Sequence, residues 1–188
     1  MKKLRIGILG GTFNPPHFGH LVLAQEALCQ LKLNKVIFIP AFIPPHKKVE
    51  KDKPLMRYKM IALACKGNPA FRISTIELKR KAVSYSVDTL RAFKKRYGKK
   101  AELFFIIGSD SLSELKNWKN SRELLTLAHF VVAPRPQFSL RKNIKAIEMP
   151  LIDISSSGIR NRIRKSLSIR YLVPEDVRKF IEKNRLYK

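Results

Sequence analysis

Long apolar runs are missing from this chain: none approaches the ~18 residues that a membrane-spanning helix needs, so no such span is expected. Cysteine is nearly absent. Cys29 and Cys65 are the only two, far apart and without a CxxC or Cys/His metal spacing. Both fall in helix-like patterns and are expected to be free, buried thiols in a reducing cytoplasm. Repeats, low-complexity tracts and Gly/Ser-rich linkers are also lacking, so the 188 residues read as one domain, 1–188. Acidic residues are few, 14 against 39 basic ones, for a net charge of +25. Two explanations compete, a polyanion-binding surface and Lys-rich solvated faces. The basic residues are scattered, as in Lys94-Lys95-Arg96, Lys99-Lys100 and Arg160 to Lys188, and are not interleaved with aromatics. That favours solvated surface, and nucleic acid is not the expected partner. The start, Met1-Lys2-Lys3-Leu4, mimics a signal-peptide n-region. Arg5 interrupts the apolar stretch, however, and Gly10 to Pro16 is no cleavage site, so the segment reads as a first strand.

What is present is an alternation of strands and helices. Apolar runs at Leu4–Leu9, Val36–Ile39, Phe71–Ser74, Leu103–Ile107 and Phe130–Ala133 predict strands, with a further short one at Ala146–Met149. Helical patterns lie between and after them. Leu21–Leu31 places Leu21, Ala24, Leu28 and Leu31 on one face, and Leu55–Cys65 follows Pro54. Val87–Tyr97 has Ser86 as a candidate N-cap and Gly98 as its terminator. Ser121–Leu127, Ile159–Lys165 and Pro174–Asn184 complete the set. Near-continuous apolar strands separated by helices predict an α/β fold, Rossmann-like and doubly wound. Its sheet is mostly parallel, with helices on both faces. The proline-rich, basic Pro40–Pro54 segment is too long for a tight turn and reads as a functional loop.

In such sheets ligands sit beyond the carboxyl ends of the strands, and four of these ends carry glycine or polar signals. The first strand runs into Gly10-Gly11-Thr12-Phe13-Asn14-Pro15-Pro16-His17-Phe18-Gly19-His20, a glycine-rich turn before a helix. Backbone N–H groups at a helix N-terminus favour anions, and imidazoles donate hydrogen bonds to phosphate oxygens. His17 and His20 beside that turn therefore point to a nucleoside triphosphate. The turn is neither a Walker A loop, since no lysine follows Gly19, nor a GxGxxG fingerprint. The second strand leads to Pro44-Pro45-His46-Lys47, the Leu103–Ile107 strand to Gly108-Ser109-Asp110, and the last strand region to Ile154-Ser155-Ser156-Ser157-Gly158-Ile159-Arg160. The serines and Arg160 read either as a second anion site or as an ordinary cap with a solvated arginine. Asp110 reads as a ribose acceptor or a plain N-cap. Trp118, the only tryptophan, reads as core or as a stacking surface for a flat ring.

Gly10 to His20 resembles the GGTFDPxHxGH signature of the nucleotidylyltransferase superfamily. The details are similar to those of bacterial nicotinate-nucleotide adenylyltransferases, which make deamido-NAD. Pro44-Pro45-His46-Lys47 resembles that family's PPHK loop, and Glu77-Leu78-Lys79-Arg80 and Ser84 to Leu90 its ELxR and SYTxDTL segments. Gly108-Ser109-Asp110 with Trp118 is similar to GxDxxxxxxxW, Ile154 to Arg160 to ISSTxIR, and Tyr171-Leu172-Val173-Pro174 to YLVP. Asn14 stands where Asp is usual, Ser86 and Ser157 where Thr is usual, and Ala82-Val83 where glycine is frequent.

The resemblance implies adenylyl transfer from ATP to nicotinate mononucleotide. Gly10, Gly11 and Thr12 would cradle ATP, with Phe13 shaping the turn, and His17 and His20 would be catalytic, stabilising the α-phosphate and the departing pyrophosphate. Ser155, Ser156, Ser157 and Arg160 would hold the adenylate and its phosphates, and Gly108 and Asp110 a ribose. Lys47 would meet a substrate phosphate. Ser84, Tyr85 and Trp118 would frame the nicotinate ring, whose carboxylate seeks backbone N–H groups. Mg2+ would ride on ATP, with no protein metal site. A cytoplasmic enzyme follows, with a homo-oligomer left open. The rival readings are an enzyme preferring nicotinamide mononucleotide, a phosphopantetheine or cytidylyl transferase sharing the HxGH turn, and a non-catalytic RNA-binding protein.

Overall fold

The computed structural model describes residues 3–45, 54–108, 114–133 and 145–188. Six strands form one sheet: β1 (Leu4–Gly11), β2 (Lys35–Pro40), β3 (Phe71–Ile73), β4 (Ala101–Gly108), β5 (His129–Ala133) and β6 (Lys145–Ala146). Their order is β3-β2-β1-β4-β5-β6, and every neighbouring pair is parallel. The order reverses between β1 and β4, the place where open α/β sheets form a crevice at their carboxyl ends. The doubly wound expectation is met.

The helices are α1 (Phe18–Gln30), α2 (Pro54–Ala64), α3 (Ile76–Arg80), α4 (Ser86–Tyr97), α5 (Ser121–Leu127), α6 (Ser156–Arg164) and α7 (Glu175–Lys183). Strand residues alternate between the two faces of the sheet, as the pleat demands. Leu9, Val36, Phe38, Phe104 and Ile106 pack with Ala24 and Ala27 of α1 and Ile61 of α2. Ile8, Ile37, Ile39, Phe105 and Ile107 pack with Leu90 and Phe93 of α4 and Leu124 of α5. The sheet is therefore covered on both sides. Each Val, Leu, Ile or Phe among them contributes about 1.5–3 kcal/mol when fully buried. A third cluster joins Met60 of α2 to Ile159 of α6, Val177 and Ile181 of α7, and Tyr187.

Several boundaries differ from the sequence reading, each for a local reason. Helix α1 starts at Phe18, because extended His17 (φ −144°, ψ 170°) serves as its N-cap. Its buried stripe is Leu23, Ala24, Ala27 and Leu31, with Leu21 and Leu28 only half-buried. Ser86 is the first helical residue of α4 and Tyr85 the cap, while Gly98 ends the helix at φ +53° as expected. Helix α3 was not anticipated: one and a half turns are too short to show a period. Cys29 is exposed, contrary to expectation, because it sits on the solvent side of α1. Cys65 is buried, and both are free. Burial pushes the Cys65 thiol up to about 12. Among the described residues no helix is long and apolar enough to cross a membrane.

Candidate active site

A cavity of about 730 Å³ opens at the carboxyl ends of β1 and β4. One side is built by the turn between β1 and α1. Within it Phe13 adopts φ +51°, and the Asn14–Pro15 peptide is cis. The left-handed backbone costs a non-glycine residue about 1–2 kcal/mol. It turns the Phe13 ring inward, 2 % exposed, against Phe38 at 5.8 Å between centroids. The ring also meets His20 edge-on at 5.0 Å.

The two histidines are fixed by their own helix. The His17 backbone N–H donates to His20 Nδ1 at 3.2 Å. With that lone pair occupied, the neutral His20 ring carries its proton on Nε2, as a donor on the opposite edge. The imidazole centroids lie 3.7 Å apart, and both residues line the cavity. Gly19 has to be small here, because a Cβ on it would stand 3.1 Å from His17 Nδ1.

Helix α6 docks its N-terminus against the same turn. Ser155 caps it, accepting from the Gly158 N–H at 3.1 Å. Ser156 Oγ donates to the Pro15 carbonyl and Arg160 Nη1 to the Asn14 carbonyl, each at 2.8 Å. Ser155 and Ser157 hydroxyls lie 3.2 Å apart. Two helix N-termini, those of α1 and α6, thus converge on one cavity with their positive ends. Asn14 is held on both sides, since its carboxamide oxygen accepts from the Tyr187 hydroxyl.

The opposite wall is a hydrogen-bonded platform. Thr89 Oγ1 donates to Glu77 Oε1 at 2.6 Å. Ser84 also bonds the Glu77 carboxyl, and Ser84 Oγ accepts from the Phe42 N–H at 2.8 Å. Burial holds the Glu77 carboxyl above the usual carboxylate range, opposed by these hydroxyls and by Arg80. Tyr85 and Trp118 stand in front of this platform in the cavity lining. Trp118 packs edge-on to Phe105 at 6.2 Å, so it serves both core and cavity. Its buried indole N–H has no hydrogen-bond partner among the described residues.

Gly10, Gly11, Thr12, Phe13, His17, His20, Gly108, Ser155, Ser156, Ser157, Arg160, Ser84, Tyr85 and Trp118 all come together around this cavity. Lys47 and Asp110 lie outside the described residues. Among the described residues no cluster of three or more His, Cys, Asp or Glu side chains could hold a metal ion.

Three contributors escaped the sequence reading. Glu77 was only part of a motif, because a carboxylate on a short segment looks solvated. Lys119 followed Trp118 as one lysine among many. Arg57 is 1 % exposed and donates to the Thr12 carbonyl at 2.8 Å and the Phe42 carbonyl at 3.1 Å. Its signal was available: it shares the buried stripe of α2 with Met60 and Ile61 at helical spacing.

A family model described as cytidylyltransferase-like matches residues 8–162. A probable nicotinate-nucleotide adenylyltransferase of Thermoanaerobacter sp. is 44% identical over 203 aligned positions, covering 100% of this chain and 96% of that protein. The chain belongs to the nicotinate-nucleotide adenylyltransferase family. A second probable member, from Geobacillus thermodenitrificans, is 46% identical across 97% of this chain and 86% of its own length. Among solved structures, the nicotinic acid mononucleotide adenylyltransferase of Plasmodium falciparum, complexed with NaAD, superposes with a TM-score of 0.81. It is 18% identical, and the match covers 98% of this chain and 97% of that one. At that identity the likeness speaks for the family's fold.

Proposed function

We propose that this chain transfers the adenylyl group of ATP to the 5′-phosphate of nicotinate mononucleotide, releasing pyrophosphate and forming deamido-NAD in NAD biosynthesis. The observation that carries the reading is the convergence of two helix N-termini and two histidines on one cavity whose lining also holds Tyr85 and Trp118. The first half suits a triphosphate and the second a flat heterocycle.

The nucleophile is a phosphate oxygen already ionised at neutral pH, so the reaction requires no general base. A new bond joins that oxygen to the α-phosphorus while the bond from the α-phosphorus to the bridging oxygen breaks, and pyrophosphate leaves with the electron pair. Catalysis reduces to alignment and stabilisation of charge. His20 Nε2–H and the neighbouring His17 supply donors to the α-phosphate and the leaving group. Gly10, Gly11 and Thr12 let the backbone approach the nucleotide. The N-terminus of α6, with Ser155, Ser156, Ser157 and Arg160, faces the phosphates. The Ser156 hydroxyl and one Arg160 nitrogen also hold the glycine turn, so these side chains shape the site as well as meet the ligand. Gly108 with Asp110 takes a ribose, Lys47 a substrate phosphate, and Ser84, Tyr85 and Trp118 the pyridine ring. Magnesium enters on the triphosphate as part of the substrate.

The test is pyrophosphate release from ATP with nicotinate mononucleotide, nicotinamide mononucleotide, phosphopantetheine and a cytidylyl acceptor pair offered separately. Turnover led by nicotinate mononucleotide supports the proposal. Acceptor-independent behaviour with strong, salt-sensitive RNA binding would support the non-catalytic alternative instead.

A further inference from the structure

The aromatic half of the cavity carries a cation that the motifs do not mark. Lys119 lines the cavity beside Tyr85 and Trp118. Its ammonium lies 4.5 Å from the centroid of the Tyr85 ring and 3.3 Å from Asp88 Oδ2. Asp88 also pairs with Arg91 at 3.2 Å, and Arg91 with Glu123 at 2.6 Å. Asp88, Arg91 and Glu123 lie outside the cavity lining, whereas Lys119 is part of it.

The remaining charged groups of the lining do not duplicate this position. Arg160 belongs to the phosphate half, tied to the Asn14 carbonyl. The Glu77 carboxyl is bound by Thr89 and drawn toward its neutral form by burial. Glu114 sits exposed at the rim. Among the described residues that line the cavity, Lys119 is therefore the lysine or arginine placed with the aromatic frame, while Arg80 acts on Glu77 from outside the lining.

Nicotinate and nicotinamide mononucleotides differ in one substituent, a carboxylate against a neutral amide. A fixed positive charge beside the ring separates them by electrostatics alone. Resting on the function proposed above, we infer that Lys119 is a specificity-determining residue, favouring the acidic pyridine over the amide. The Tyr85 ring and Asp88 hold the ammonium in place. The Lys119 side chain is 43% exposed, so the effect is solvent-screened, roughly threefold to fivefold in selectivity.

The experiment uses the full chain as parent, Lys119→Met, which keeps the aliphatic stem, and Lys119→Arg, which keeps the charge. For each, kcat/KM is measured for both mononucleotides at saturating ATP. Binding is followed separately through the fluorescence of Trp118, the only tryptophan. Lys119→Met should lower the nicotinate-to-nicotinamide ratio roughly threefold to fivefold, mainly through KM for the acidic acceptor. Lys119→Arg should keep it, and the parent's preference should shrink as ionic strength rises. An unchanged ratio in an active Lys119→Met protein, or an equal loss with both acceptors, overturns the inference alone. A parent that uses neither mononucleotide overturns the proposed function and takes this inference with it.

Discussion

The proposed role of His20 depends on where its neighbours put its proton. The amide of His17 donates to Nδ1, which puts the proton of the neutral ring on Nε2. Replacing His20 with alanine should reduce kcat by roughly 10²-fold or more, the scale of losing one preorganised donor to developing charge. Steady-state kinetics with saturating ATP and mononucleotide would show it, and unchanged turnover would remove His20 from the chemistry. Glu77 gives a prediction of a different kind. Burial raises its carboxyl, so its contribution to stability is complete below the ordinary carboxylate pKa and is lost as pH rises through the raised value. Glutamine has no such loss. The Tm difference between Glu77→Gln and the parent should move in favour of glutamine as the pH goes from acid to neutral, and thermal melts across that range would test this. A constant difference would mean that the carboxyl does not change its proton on unfolding.

At the scale of elements, the site is a set of loops held by side chains borrowed from helices. Arg57 of α2 grips the exits of β1 and β2 together, through Thr12 and Phe42. Removing it leaves two part-buried carbonyls without this donor. Arg57→Met should destabilise the fold by about 2–3 kcal/mol, read from urea unfolding. The Ser155 cap is smaller: Ser155→Ala should cost about 1 kcal/mol by the same measurement.

The parallel strands and most helices were legible because their apolar residues repeat at two or 3.6, and the glycine turn because its backbone amides need no side chain to be recognised. The described residues at the strand exits line one cavity. Arg57 and Glu77 were hidden for a common reason. A charged residue is read as solvated unless its burial is known, and burial here is decided by residues far away in sequence. Asn14 shows the same limit. From the sequence it was a missing negative charge, whereas in the fold it accepts from the Tyr187 hydroxyl and offers its own carbonyl to Arg160.

Taken as one body, the protein carries a surplus of 25 positive charges over a single sheet core. Self-repulsion of that surplus opposes the compact state. Raising ionic strength from ~0.01 M to ~0.15 M shortens the Debye length from about 30 Å to about 8 Å, so the Tm should climb over that interval. A flat or falling Tm would mean that pairs such as Arg178 with Glu175 and Glu182 outweigh the repulsion. On the proposed function, the same overall charge would attract anionic nucleotides, and their association rates should fall as salt is added.

The contact between Tyr187 and Asn14 binds the turn that follows α7 to the first loop, so the chain is in effect a closed strap with its buckle at the glycine turn. A pull on the residues that follow α7 is passed through Tyr187 directly to that buckle.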